Sequence, residues 1–127
     1  EVIPLHRLLG ITLDTMSVGN LVLRMKFREE LLGDVSRPAL HGGAISSLID
    51  STGGFCAWSV LPDLTHRLST VDLRIDYLRP APAQDILCEG TVVHHGKRLI
   101  RTDMVAFVED RSHPVALGRA TFAVSSG

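Results

Sequence analysis

The sequence predicts an α+β fold in which an antiparallel sheet of about five or six strands wraps around one long central helix. Only one segment has apolar side chains at the three- and four-residue spacing that is typical of a long helix lying on a core. Most of the remaining chain alternates apolar and polar residues between turn signals, a pattern typical of strands. The length of 127 residues suits one core, so we expect a single domain over residues 1–127.

The N-terminal part is predicted to hold a short helix followed by a strand. The segment PLHRLLG has the form of a helical turn that ends at Gly10. Further on, SVGN is a turn signal, and large apolar side chains then occupy every second position from Leu21 to Phe27. This period of two predicts a strand with one buried face.

The long helix is predicted to begin at the motif HGGAISSLID and to end before Pro62, which cannot continue a helix. Its apolar stripe consists of Ile45, Leu48, Ile49, Thr52, Cys56 and Val60. Such a stripe indicates a helix with one side packed on the core.

Four further strands are predicted after the helix, at residues 71–77, 86–94, 99–108 and 115–124. The segments HHGK and EDRSHP between them are typical hairpin or loop sequences. Several long strands around one helix leave sheet edges or a sheet face uncovered, so we expect a homo-oligomer.

Composition excludes several classes of function. Thirteen basic and fourteen acidic side chains give a net charge of −1, which provides no basic surface for nucleic acid or an anionic membrane. No run approaches the roughly 18 apolar residues of a membrane span. The six histidines show no metal-ligand spacing, so no metal is expected. Cys56 and Cys88 lie apart among apolar neighbours, which predicts buried free thiols in a reducing compartment and hence a cytoplasmic protein.

The acid within HGGAISSLID is the first candidate for chemistry. On a helical wheel, Asp50 falls off the apolar stripe, on a flank of small residues: Gly43, Ser46, Gly53, Gly54 and Ala57. Glycine inside a helix costs about 0.5–1 kcal/mol relative to alanine. The two adjacent glycines therefore indicate that another helix, a sheet or a ligand approaches closely.

The glycines at the helix start are the second candidate. Gly42 and Gly43 would let a substrate approach the free N–H groups of a helix N-terminus, where negative charge is favoured. Such amides form an oxyanion hole for acyl transfer. The carboxylate of Asp50 would then be the nucleophile or the general base.

Three segments together resemble a known family: LHGGAISSLIDSTGG, STVDLRIDYLRPA and GTVVHHGKRLIRTDMVAFVED. Over roughly residues 35–124 the chain resembles hotdog-fold acyl-CoA thioesterases of the phenylacetic-acid-pathway and 4-hydroxybenzoyl-CoA thioesterase branch. The resemblance implies the hotdog fold and hydrolysis of an acyl-CoA to a carboxylic acid and free coenzyme A, with no separate cofactor. It also implies dimers, which often pair into tetramers.

The resemblance implies a role for each matching residue. Gly42 matches the glycine whose backbone N–H polarises the thioester carbonyl, and Asp50 matches the catalytic carboxylate. His41 matches the histidine that shapes the loop before the glycines. Thr70 lies where relatives place a hydroxyl near the attacking group.

Binding of coenzyme A is the other role that the resemblance implies. Lys97 and Arg98 fall where relatives contact coenzyme A phosphates, and Arg79 is a further candidate for a phosphate contact. The segment DVSRPAL departs from the pattern of the family. Many relatives carry Asn or Gln several residues before the histidine, whereas this segment has no amide side chain. Here either Asp34 or Ser36 substitutes for the amide, or its role is carried out in another way.

The spacing of Gly42 and Asp50 has a geometric consequence. Eight residues of one helix correspond to about 12 Å of rise. An oxyanion donor and an attacking group must each lie about 3 Å from the same carbonyl group. We therefore expect active sites at a twofold interface, where Gly42 of one subunit faces Asp50 of the other. The small residues Ser46, Gly53 and Gly54 would allow that approach.

Two alternative functions stay open at this point. One is a hotdog hydratase or dehydratase acting on acyl-CoA or acyl-carrier protein, in which His41 would pair with an acid. The other is a non-catalytic acyl-CoA-binding protein in which Asp50 has no chemical role.

Overall fold

A computed structural model describes residues 3–34, 36, 38–63 and 65–126, so the ends of the predicted domain, residues 1, 2 and 127, lie outside the described residues. The elements are α1 Pro4–Leu9, β1 Ile11–Ser17, β2 Asn20–Met25, a 3₁₀ turn Glu29–Leu31, β3 Leu32–Asp34, β4 Ala39–Leu40, α2 Gly42–Trp58, β5 His66–Tyr77, β6 Ile86–His95, β7 Leu99–Phe107 and β8 Ala116–Ser126. Six strands form one antiparallel sheet in the order β1-β2-β6-β7-β8-β5, with α2 packed on it. The predicted α+β class is confirmed.

Helix α2 is the centre of the core. Its apolar stripe packs against the sheet, and Leu48, Ile49 and Cys56 are fully buried. The helix ends at Trp58, with Ser59 as its C-cap, four residues before Pro62. The predicted central helix is therefore confirmed. It ends earlier than predicted, because the chain enters a turn directly after Trp58 and does not continue as helix to Pro62.

The predicted strands are confirmed, and one more strand joins the sheet. Residues Leu21, Leu23 and Met25 of β2 are buried in strict alternation, as their spacing predicts. Strand β1 was not predicted from the pattern, because after buried Ile11 every residue of the strand is exposed. The short α1 helix ends as predicted at Gly10, whose φ of 70° is left-handed.

Strand β5 lies at an edge of the sheet. It pairs along its whole length with β8, and within the described residues its other edge has no strand partner. Val71 and Tyr77 alternate with polar residues in the sequence, but both side chains are exposed. A register shift between Thr70 and Asp72 leaves Val71 as an extra residue, and such a bulge changes the direction of the side chains next to it.

The sheet explains one of the two adjacent helix glycines. A Cβ on Gly53 would lie 2.9 Å from Thr102 Oγ1 and 3.0 Å from Met104 Sδ, both on β7. The sequence predicted that another helix, a sheet or a ligand approaches these glycines. At Gly53 the close neighbour is a sheet of the same chain. Gly53 therefore does not belong to a flank that a partner subunit approaches. Gly54 is less confined, since its Cβ would lie 3.7 Å from Phe122.

The two cysteines are free and buried, as predicted. Burial raises the pKa of the Cys56 thiol to about 11 and that of Cys88 to about 12. Both thiols therefore stay protonated near neutral pH and are not nucleophiles. In the described part of the chain, no helix is both long and apolar enough to cross a membrane.

Candidate active site

The N-terminus of α2 is closed by a histidine cap. His41 has extended backbone angles, and its Nδ1 accepts a hydrogen bond of 2.8 Å from the Gly43 N–H. One of the unpaired amides of the helix start is thereby satisfied. Gly42 is the first helical residue, so its N–H has no acceptor within the helix. The cap thus engages the Gly43 amide and leaves the Gly42 amide as the candidate oxyanion donor.

Tyr77 holds the same turn from the sheet. Its Oη donates a hydrogen bond of 2.9 Å to the Gly42 carbonyl oxygen. A Cβ on Gly42 would lie 3.6 Å from the tyrosine ring, so the ring covers one side of the glycine. Tyr77 is the last residue of β5 and therefore ties the end of this strand to the beginning of α2.

Asp50 lies in the middle of α2 and has a hydroxyl partner. The Thr70 Oγ1 donates a hydrogen bond of 3.1 Å to Asp50 Oδ1. Thr70 directly precedes the bulge in β5, a strand whose Leu68, Leu73 and Ile75 are half-buried against the core. The structure therefore brings these two predicted residues together.

Asp50 and Thr70 both line an open groove of about 450 Å³. This Asp50 groove is lined by residues of α1, α2, β5 and β8: His6, Ser51, Gly54, Phe55, Trp58, His66, Arg67, Leu68, Thr70 and Phe122, together with Asp50 and Ile3. A hydrogen-bonded carboxylate on a helix, at the wall of a groove of this size, is suited to attack on a bound carbonyl group or to activation of water.

The predicted phosphate-binding residues do not converge in one chain. Arg79 follows the end of β5, and its N–H donates to the Val115 carbonyl. The Lys97–Arg98 hairpin is bound at the other end of β8, where Val124 donates to the Arg98 carbonyl. Nine residues of extended strand separate the two contacts by about 30 Å. Arg79 and this hairpin therefore cannot bind one phosphate group within a single chain.

A larger apolar cavity adjoins the Asp50 groove. It has a volume of about 720 Å³ and lies between α1, the first two strands and the C-terminal end of α2. Ile3, His6, Phe55 and Trp58 line both spaces. The imidazole of His6 contacts the Phe55 ring, with 5.1 Å between ring centroids, and burial lowers the pKa of His6.

Sequence reasoning missed three residues at this site. Tyr77 belongs to a predicted strand, and neither its hydroxyl group nor the His6 imidazole is among the predicted site residues. Phe55 was not singled out. Each acts through a contact with a residue more than thirty positions away, so local spacing carries no signal for it. Trp58 also lines both cavities.

The segment DVSRPAL before the helix has no amide side chain, and two of its residues interact with each other. Asp34 Oδ1 accepts hydrogen bonds from the N–H and the hydroxyl of Ser36. Residues 35 and 37 of this segment lie outside the described residues. Across the described chain, no three His, Cys, Asp or Glu side chains come together as metal ligands.

The six-stranded antiparallel sheet packed on the long central helix α2 defines the hotdog fold class. The Thioesterase superfamily profile matches residues 38–123. The chain belongs to this superfamily, which confirms the predicted fold family and the prediction of a thioester hydrolase at the level of the family.

Individual relatives agree with this assignment over most of their length. A "Putative esterase" of Halobacterium salinarum is 33% identical, over 91% of this chain and 81% of the relative. The "Medium/long-chain acyl-CoA thioesterase YigI" of Escherichia coli is 29% identical, over 95% of this chain and 85% of its own. A solved structure from Shewanella oneidensis, described as related to the thioesterase superfamily, superimposes with a TM-score of 0.86 at 28% identity, over 97% and 88% of the two chains.

Proposed function

We propose that this protein is an acyl-CoA thioesterase that hydrolyses the thioester of an acyl-CoA to a carboxylic acid and free coenzyme A. The observation that carries the proposal is the Asp50 carboxylate, held by the Thr70 hydroxyl at the wall of a groove beside α2. The name of the E. coli relative supports coenzyme A thioesters of medium and long acyl chains as the substrates to test first.

The chemistry requires an attacking group and a donor for the developing oxyanion. Asp50 supplies the carboxylate, which either attacks the thioester carbon or takes a proton from the attacking water. The Gly42 N–H donates to the carbonyl oxygen as it gains negative charge. The C–S bond then breaks, and coenzyme A leaves as a thiolate. If Asp50 acts as general base, the acid product is then complete and the proton taken by Asp50 passes to the thiolate. If Asp50 attacks directly, water hydrolyses the resulting acyl–Asp50 anhydride, which releases the acid, restores the carboxylate and supplies the proton for the thiolate.

Active sites across a dimer interface follow from the continuity of α2. Gly42 and Asp50 lie on one uninterrupted helix, about 12 Å apart along its axis. On the neighbouring edge strand β5, Tyr77 contacts Gly42 at one end and Thr70 contacts Asp50 nearer the other end. Antiparallel pairing of two β5 edges therefore brings the Gly42 end of one subunit toward the Asp50 region of its partner.

The same pairing accounts for the separated basic residues. Arg79 lies beyond the C-terminal end of β5, and the Lys97–Arg98 hairpin lies at the level of its N-terminal end. In an antiparallel pair of β5 strands these opposite ends meet across the interface. We propose that Arg79 of one subunit and Lys97–Arg98 of the other bind the phosphates of one coenzyme A.

Two finer assignments are part of the proposal. The motifs around His41 and Tyr77 support the phenylacetic-acid-pathway and 4-hydroxybenzoyl-CoA branch, with dimers that pair into tetramers. The buried free thiols support a reducing, cytoplasmic location. His41 uses its Nδ1 in the helix cap, which favours the thioesterase over a hydratase that needs this imidazole for proton transfer.

A hydrolysis screen tests the reaction itself. Acyl-CoA esters with short, medium, long and aryl acyl groups are incubated with the protein, and free thiol is measured. We expect turnover of at least one class. Tight binding of acyl-CoA without thiol release would indicate a binding protein, and hydration of an enoyl-CoA without hydrolysis would indicate a hydratase.

Mixed dimers test the shared active site. Asp50→Asn removes the carboxylate, and Gly42→Pro removes the candidate oxyanion N–H at the first helical position, where proline is tolerated. Each variant alone should be nearly inactive. After co-refolding of an equal mixture, we expect about one quarter of wild-type activity, because about half of the dimers are mixed and each has one intact site. If each site lay within a single chain, the mixture would stay as inactive as the separate variants.

A further inference from the structure

The Asp50 groove and the apolar cavity meet at a shared border. Ile3, His6, Phe55 and Trp58 line both spaces, so the two cavities are neighbours along α2 rather than unrelated pockets. Asp50 lies on one side of this border. Trp58 lies eight residues further along the helix, about 12 Å from Asp50 in axial rise.

The apolar cavity has a lining that suits an alkyl chain. Buried Leu21 and Leu23 of β2 contribute to it, and Leu13 and Met16 of β1 contribute further apolar surface. Leu13 is 54% exposed and Met16 is 60% exposed, although both line this cavity. These two large apolar side chains therefore have no protein partner that removes them from water, and an apolar ligand would gain free energy by covering them.

The border carries polar groups but little charge. His6 contacts Phe55, and because burial lowers the pKa of its imidazole, His6 is neutral at physiological pH. Arg7 is the charged residue of the cavity lining. This surface is unsuited to the several phosphates of coenzyme A, whereas the exposed basic residues Arg79, Lys97 and Arg98 lie outside both cavities.

We infer that the apolar cavity holds the tail of the substrate's acyl chain, and that Leu13 and Met16 set the chain length that the enzyme prefers. The inference rests on the proposed function, because that function fixes the thioester carbon beside Asp50. An acyl chain leaving that carbon along α2 reaches Phe55 and Trp58 and then enters the cavity. A short acyl group ends in the Asp50 groove and gains nothing from Leu13 or Met16.

A larger side chain on the exposed wall of the apolar cavity would block part of its volume, and this substitution tests the inference. Leu13→Trp adds bulk at a half-exposed strand position, where a fold defect is not expected. Val93→Trp is the matched control, since Val93 is 52% exposed on β6 and lines neither cavity. We expect Leu13→Trp to lower kcat/KM for dodecanoyl-CoA at least about tenfold and for butyryl-CoA less than about twofold, since each methylene buried in an apolar pocket contributes about tenfold or more to discrimination. The control should change neither value.

A binding measurement separates this inference from the proposed function. S-dodecyl-coenzyme A, a thioether that cannot be hydrolysed, is titrated calorimetrically into wild type and Leu13→Trp, with S-ethyl-coenzyme A as the short-chain probe. Weaker binding of the dodecyl probe alone supports the tail site, even if the wild type hydrolysed no thioester and the proposed function were wrong. Met16→Trp is measured in the same way. Equal losses of affinity for both probes, or unchanged affinity for the dodecyl probe in both variants, would overturn the inference. A changed oligomeric mass in Leu13→Trp by light scattering would also overturn it, because the apolar surface would then be a subunit contact.

Discussion

The two sides of helix α2 differ in what they contact. On the core side, Leu48, Ile49 and Cys56 are fully buried against the sheet. On the other flank, Asp50, Gly54 and Trp58 line an open groove. The contrast shows that one helix provides both the centre of the core and the wall of the candidate active site. Substitutions on the two sides should therefore separate stability from catalysis.

The largest expected effect is on catalysis, at Asp50. Asp50→Asn keeps the shape of the side chain and an oxygen that accepts from Thr70, but it removes the charge. We expect kcat/KM to fall about 10²–10⁴-fold, the range for loss of a general base, while the midpoint of urea unfolding stays unchanged. Steady-state kinetics with dodecanoyl-CoA and equilibrium unfolding measure the two quantities. Activity close to that of the wild type would show that Asp50 is not the catalytic carboxylate.

The next largest effect is expected on stability, for a substitution where strand β8 packs against the core side of α2. A Cβ on Gly118 of β8 would lie only 2.4 Å from Ile49 Cγ2, a fully buried group. Gly118→Ala should therefore lower the free energy of unfolding by about 1–3 kcal/mol through overpacking, with kcat of the folded enzyme retained. Gly54→Ala is the control: its Cβ would meet Phe122 at 3.7 Å, and alanine is favoured inside a helix by about 0.5–1 kcal/mol. Equal unfolding free energies for the two variants would contradict the close contact at Gly118.

The smallest effect is expected at Tyr77, which contacts the turn between the two sides. Tyr77→Phe keeps the ring over Gly42 and removes the hydrogen bond to its carbonyl oxygen. A net hydrogen bond contributes about 0.5–1.5 kcal/mol, so we expect kcat/KM to fall about two- to tenfold through a less rigid oxyanion turn. A loss as large as that of Asp50→Asn would instead assign Tyr77 to the reaction itself.

The central helix and most strands could be predicted because their patterns are local. Buried residues of β2 alternate strictly, and the apolar stripe of α2 recurs every three or four residues. Strand β1 gave no such signal, since one side of it faces the apolar cavity and the other faces solvent. Alternation of apolar and polar residues predicts a strand only where one face of that strand packs against the core.

The candidate site could be predicted only in part. The positions of Gly42 and Asp50 on one helix follow from spacing, and the contact between Asp50 and Thr70 was implied by the resemblance. The contacts of Tyr77 with Gly42 and of His6 with Phe55 join residues that are distant in sequence. The close approach at Gly53 was predicted, but its inclusion in the flank facing a partner subunit was wrong, because a glycine that admits a sheet and one that admits a partner look the same in a helix.

The pairing of β5 with β8 also has a consequence for the order of folding. Residue His66 lies opposite Ser126 in this register, so the edge strand finds its neighbour only among the last residues described. During synthesis, α2 and β5 leave the ribosome well before β8 does, and such distant pairings are slow to form. Until β8 arrives, β5 has unpaired backbone on both sides. The nascent chain is then most exposed to aggregation through the same strand that is proposed to join two finished subunits.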